Sequence, residues 1–150
     1  GQQTGATVTL ARIDIDHFKR INDTYGHIVG DSVLRKLSKQ LKDNLRAEDL
    51  AGRYGGDEFC VIVPNRSLEQ TQDIMERLRQ VFSQVLDGDE PGLQVSLSIG
   101  LASYRPDFDD ASQWLNEADK ALYIAKNTGR NKISVAAADL LPGSALSNPG

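Results

Sequence analysis

The chain has 150 residues, 39% of them hydrophobic and 25% charged, with a formal net charge of -4. That is the size and composition of one globular domain with a single core, and the negative charge excludes a general attraction for nucleic-acid polymers. A single cysteine, Cys60, excludes an internal disulfide, and no apolar run approaches the ~18 residues needed to cross a bilayer.

The only methionine is Met75, and the sequence reads as a domain taken from something longer. Residues Thr7 to Ile15, with Ala11, Ile13 and Ile15 alternating, predict a buried strand. Phe18, Ile21 and Tyr25 then recur at helical spacing up to Gly26. Asp16 is expected to cap that first helix and Asp31 a second one, whose apolar face is Leu34, Leu37, Leu41 and Leu45. Two short strands, Leu50–Tyr54 and Phe59–Val63, flank Gly55-Gly56-Asp57-Glu58, a hairpin in which the glycines would permit positive φ. Ser67 and Gln70 form a capping box for a third helix with the stripe Ile74, Leu78, Val81 and Val85. Strict alternation of Leu93, Val95, Leu97, Ile99 and Leu101 predicts another strand. A fourth helix carries Leu115, Ala118, Leu122 and Ala125, with Gly129 as its C-terminal cap, before a last strand at Ile133 and Val135. Asp107, Asp109 and Asp110 are expected on a solvated loop.

The order βααββαβαβ, with a hairpin among helix-linked strands, predicts an α/β (α+β) domain: a central mixed five-stranded sheet flanked by helices. The domain is expected to span 1–137, with 138–150 a flexible C-terminal tail.

Three carboxylates stand where chemistry is possible: Asp14 near the end of the first strand, and Asp57 and Glu58 at the hairpin tip. Clustered carboxylate oxygens suit a hard cation that keeps waters or substrate phosphates in its shell. The plain alternatives are a solvated strand end and an ordinary turn. Asp14-Ile15-Asp16 also begins like a calcium loop, but Lys19 stands where that loop requires glycine. His17 and His27 are too few for a histidine metal site.

The run Arg53-Tyr54-Gly55-Gly56-Asp57-Glu58-Phe59 resembles the signature of the GGDEF family of diguanylate cyclases. So do Asp14-Ile15-Asp16-His17-Phe18-Lys19, Ile21-Asn22-Asp23, Gly26-His27 and Gly30-Asp31 near the start. Ala118-Asp119-Lys120-Ala121-Leu122-Tyr123, Ala125-Lys126 and Gly129-Arg130-Asn131 resemble the family's final block. The resemblance covers roughly Val8 to Val135 and implies the fold shared by nucleotidyl cyclases and polymerase palm domains.

It further implies condensation of two GTP into cyclic di-GMP with release of two pyrophosphates, across a homodimer. Asp14, Asp57 and the Ile15 carbonyl would hold Mg²⁺ or Mn²⁺, two ions per active site, with Glu58 a further metal candidate and catalytic residue in the same cluster. Asp57 would accept the proton of the attacking 3′-hydroxyl, a task the metal could share, and Lys19 would stabilise charge on the phosphates. Lys126 and Arg130 would grip the terminal phosphates, although cations near a helix C-terminus are favourable in any case. Backbone amides at Phe18 would add to that grip. Asn22 and Asp31 would read guanine, whose N1–H and exocyclic amine one carboxylate can accept together.

Arg46-Ala47-Glu48-Asp49 resembles the family's RxxD inhibitory site for cyclic di-GMP, to which Arg77 would contribute; taken alone, Arg46 and Asp49 read as a local ion pair. An upstream regulatory domain, a cytoplasmic location (compatible with a membrane anchor elsewhere in the whole protein) and no membrane contact by this domain complete the expectation. The rival reading is a non-catalytic receptor module for GTP or cyclic di-GMP.

Overall fold

The computed structural model describes residues 7–87 and 92–140. In chain order the elements are β1 (Thr7–Ile15), α1 (Phe18–Tyr25), α2 (His27–Asn44), β2 (Leu50–Arg53), β3 (Glu58–Arg66), α3 (Leu68–Asp87), β4 (Leu97–Ser103), α4 (Ala111–Asn127), β5 (Lys132–Val135) and α5 (Ala137–Leu140). The five strands form one sheet in the order β2-β3-β1-β4-β5. β1 pairs antiparallel with β3 and with β4, β2 antiparallel with β3, and β5 parallel with β4. The mixed five-stranded sheet expected from the sequence is therefore what forms.

β1 lies at the centre, so Thr9 to Ile15 are buried without a break. Its two faces have different chemistry. Ala11, Ile13 and Ile15 join Phe59, Val61, Val63, Leu97, Ile99 and Leu101 in the main core, beneath Val33, Leu34, Leu37 and Leu41 of α2 and Met75, Leu78 and Phe82 of α3. Leu10, Arg12 and Asp14 point the other way, toward α4, where Leu10, Ala102 and Ala118 make a smaller apolar cluster. A Cβ at Gly100 would fall inside van der Waals contact of the Leu122 nitrogen and the Ala118 carbonyl. Glycine at 100 lets α4 lie directly on the sheet, and Trp114 Nε1 locks it there by donating to the Ala102 carbonyl at 2.8 Å.

The capping box forms as expected: the Ser67 amide donates to Gln70 Oε1 at 2.9 Å and the Gln70 amide to Ser67 Oγ at 3.1 Å. Several expectations need correction. Asp31 does not cap α2; that position belongs to Gly26, and Asp31 lies inside the helix. The fully buried residues of α3 are Thr71, Met75, Leu78 and Phe82, while Ile74 and Val81 are half-buried and Val85 lies outside the residues whose side chains are described. β4 begins at Leu97, not Leu93, because its partner β1 ends at Ile15, the residue opposite Leu97. Leu93 and Val95 are buried outside any strand. Asp110 is not merely solvated: it caps α4, accepting from the amides of Ser112 and Gln113. The stretch expected to be tail opens with α5, whose Asp139 carboxylate accepts from the Ser103 amide at 3.0 Å; residues 141–150 lie outside those described.

Candidate active site

Register brings the acidic residues together. Asp14 stands opposite Glu58 on β3 and opposite Ser98 on β4. One residue on, the Ile15 amide donates to the Asp57 carbonyl at 3.3 Å, so the hairpin tip is tied to the end of β1. The tip is tied to itself as well. The amides of Tyr54 and Gly55 both donate to the Glu58 carbonyl, and the Arg53 guanidinium donates to the carbonyls of Gly55 and Gly56. Neither Gly55 nor Gly56 has the positive φ expected of them, and a Cβ at either would meet no atom within 4 Å. The fold itself does not require glycine there.

The Asp57 side chain lies near enough to Asp14 to influence its carboxyl. Lys126, from the last turn of α4, forms an ion pair with Asp14 Oδ2. Asp14 Oδ1 is buried and has no hydrogen-bond partner. Burial is the largest influence on Asp14; it raises the carboxyl pKa, Lys126 opposes it, Asp57 adds to it, and the net result is about 7. A buried carboxylate with an unpartnered oxygen beside a second carboxylate fits a small divalent cation. Among the described residues no group of three or more His, Cys, Asp or Glu is arranged to hold a metal, and the acidic side chains available here are Asp14 and Asp57. That suits Mg²⁺, which is ordinarily held by one or two carboxylates together with substrate phosphates.

Glu58 is engaged elsewhere. Its carboxylate accepts from Arg12 at 2.8 Å, and Arg12 also pairs with Asp119 at 3.6 Å and lies 4.4 Å from the centre of the Tyr54 ring. The sequence reading overlooked Arg12; the available signal was a cation in the middle of a buried strand.

Asp16 is not the cap of α1. The cap position is His17, in the left-handed region at φ 56° and with no side-chain hydrogen bond to the helix. The Asp16 carboxylate instead accepts from Ser96 Oγ and Ser98 Oγ, both at 2.6 Å, and from the Asn131 amide at 3.0 Å. Arg130 lies 3.9 Å away. α4 closes at Thr128, with the Arg130 amide donating back to the Ala125 carbonyl at 2.9 Å. Gly129 stands one residue beyond that cap, at φ 122°, the usual place for a helix-ending glycine.

The expected base-reading pair is adjacent. A Cβ at Gly30 would collide with Asn22 Oδ1, so the Asn22 amide lies directly against the residue before Asp31, and Asp31 is exposed. Phe18, the first residue of α1, packs partly into the main core. Lys19 is 92% exposed and pairs with Asp23 at 3.4 Å; it is not brought into contact with the acidic cluster.

Arg46 and Asp49 form a closed turn. Asp49 accepts from the Arg46 amide at 2.7 Å and from its guanidinium at 3.0 Å, while Arg46 also reaches Glu48 and the Pro64 carbonyl. Both line a cleft of about 440 Å³ with Lys42 and Arg53. Arg77 is exposed on α3 and does not line this cleft. A larger cleft of about 610 Å³ borders Asp16, His17, Arg20 and Asn131, on the side of α1 away from Asn22.

A family model for the diguanylate cyclase GGDEF domain matches residues 1–132. The chain is 43% identical over 129 residues to the probable diguanylate cyclase DgcC of Escherichia coli (strain K12), covering 86% of this chain and 35% of that protein. It is 42% identical over 130 residues to diguanylate cyclase A of Treponema denticola, again covering 86% and 35%. The chain thus spans about a third of the length of these relatives. Among solved structures, the GGDEF domain of DgcB from Caulobacter crescentus in complex with c-di-GMP superposes with a TM-score of 0.80 at 34% identity, over 88% of this chain and 79% of that one. By sequence, by fold and by the placement of its acidic motifs, the chain belongs to the GGDEF family of diguanylate cyclase domains.

Proposed function

We propose that this domain is a diguanylate cyclase that condenses two GTP into cyclic di-GMP, each domain of a homodimer holding one nucleotide. The observation that carries the reading is the approach of Asp14, near the end of β1, and Asp57, at the hairpin tip, with Lys126 paired to Asp14. Asn22 and Asp31 bind the guanine edge; adenine presents an acceptor at N1 where the Asp31 carboxylate needs a donor, a mismatch that can discriminate by ~10⁴-fold. Lys126 and Arg130 grip the terminal phosphates, helped by amides at the start of α1 around Phe18. Lys19, at the surface beside Asp23, adds positive charge to the phosphates during transfer.

Asp14, Asp57 and the Ile15 carbonyl would hold two Mg²⁺ or Mn²⁺ ions, which when bound neutralise phosphate charge and acidify the attacking hydroxyl. Asp57 accepts the 3′-hydroxyl proton. The 3′-oxygen forms a bond to the α-phosphorus of the opposite GTP, the α–β phosphoanhydride bond breaks, and pyrophosphate leaves. Repetition from the other side closes the ring, giving one cyclic product and two pyrophosphates. Glu58, tethered by Arg12, stiffens the tip that carries Asp57. Glycine at 55 and 56, which the fold does not need, leaves room for a nucleotide to approach the backbone.

Cyclic di-GMP would bind back at Arg46 and Asp49, with Arg77, as the inhibitory site; the product must there compete with the Arg46–Asp49 pair. Control by an upstream regulatory domain in a cytoplasmic setting belongs to the same reading. No helix among the described residues is long and apolar enough to cross a membrane. The test is incubation with GTP and Mg²⁺ followed by chromatography. Cyclic di-GMP with pyrophosphate in a 1:2 ratio, and no product from ATP, is expected; a mononucleotide product, or bound but unreacted GTP, sinks the proposal.

A further inference from the structure

The Asp16 carboxylate is 2% exposed and joins three parts of the chain: the end of β1, the entry to β4 through Ser96 and Ser98, and the turn after α4 through the Asn131 amide. That turn is unusual. Gly129, Arg130 and Asn131 all have positive φ, at 122°, 63° and 48°, a region that asparagine enters more readily than most side chains and arginine rarely. Such backbone persists only where its surroundings over-determine it. Here the Asn131 amide is held by Asp16, and the Asn131 side chain accepts from Arg79 Nη1 at 2.6 Å.

The consequence is a matched pair of contacts. Asp14 and Asp16, two apart along the exit of β1, face Lys126 and Arg130, four apart across the end of α4. Arg130 approaches Asp16 only to 3.9 Å, and among the described residues its guanidinium makes no hydrogen bond. We propose that Asp16 is a positioning residue for phosphate recognition: it fixes the turn that carries Arg130, and so sets that cation, with Lys126, where the terminal phosphates of a nucleoside triphosphate arrive. The inference rests on the reading of the site given above.

Asp16→Asn tests it, because the neutral amide keeps the shape but removes the charge that strengthens the bonds from Ser96 Oγ, Ser98 Oγ and the Asn131 amide and that faces Arg130. Binding is measured by calorimetry with Mg²⁺ and two probes: 3′-deoxy-GTP, which lacks the attacking hydroxyl, and GMP, which lacks the terminal phosphates. The substitution should weaken 3′-deoxy-GTP on the order of 10-fold, the scale of one charge-assisted hydrogen bond, and leave GMP unchanged. In an Arg130→Ala background it should weaken 3′-deoxy-GTP no further. Parallel loss of both probes, or loss of neither, overturns the proposal, since a purely structural role would not distinguish them. Should Asp16→Asn fail to fold, Ser96→Ala removes one donor to the same carboxylate and is judged by the same comparison. A wild-type domain that binds 3′-deoxy-GTP selectively but forms no cyclic di-GMP from GTP would sink the enzymatic reading and leave this inference standing.

Discussion

At the scale of single residues, Asp14 carries the sharpest prediction. Its pKa is about 7 in the folded chain, against roughly 3.9 for an unperturbed aspartate. Between those values the folded state holds a proton that the unfolded state has released, so stability of the metal-free protein should fall as pH rises from about 4 to about 7. Chemical denaturation across that range checks the sign, and Asp14→Asn should flatten the slope. Added Mg²⁺ competes with the proton, so it should stabilise the wild type more at pH 8 than at pH 6. Asp14 and Asp57 were legible in the sequence because a strand end and a glycine hairpin limit where their side chains can go. Asp16 was not: an aspartate before a helix reads as a cap, and only the tertiary approach of Ser96, Ser98 and Asn131 gives it other work. Arg12 escaped for the same reason, its partners Glu58 and Asp119 lying on other elements.

At the scale of elements, periodicity located nearly every helix and strand but not always the face or the end. In α3 the stripe Ile74–Leu78–Val81 and the stripe Met75–Leu78–Phe82 share Leu78 and fit a helical period equally well. The larger Met75 and Phe82 fill the core beneath the sheet, and a one-residue rotation separates the two readings. β4 shows the other limit: alternation continues back to Leu93, but a strand needs a neighbour, and β1 supplies none before Leu97. Local chemistry was read well where it is self-contained. The Ser67–Gln70 box is such a case, and Ser67→Ala should cost ~1 kcal/mol in thermal or urea denaturation without affecting nucleotide binding. Gly100→Ala should cost more, ~3 kcal/mol, because the methyl group would meet backbone atoms of α4 that cannot yield without moving Lys126.

At the scale of the whole molecule, the proposed reaction makes this domain a half-site. With one nucleotide per domain a ring of two phosphodiester bonds cannot close, so two copies would have to face one another during turnover. Specific activity should therefore fall on dilution of the domain below its dimerisation constant, as checked by rate per chain against concentration; a constant rate per chain would mean that single domains complete the reaction. The chain's net charge of -4 suits the proposed small-molecule role, in which a few local cations such as Lys126 and Arg130 would hold phosphate and no long basic track is needed.

The central proposal is that acidic groups from the end of β1 and from the hairpin tip converge to make the chemical centre, and cyclic di-GMP formation by Asp57→Ala tests it most directly. The half-buried tip position should tolerate the change, leaving the thermal transition near that of the wild type while product formation from GTP and Mg²⁺ drops to background. A folded Asp57→Ala domain that still makes cyclic di-GMP at close to the wild-type rate would contradict the account.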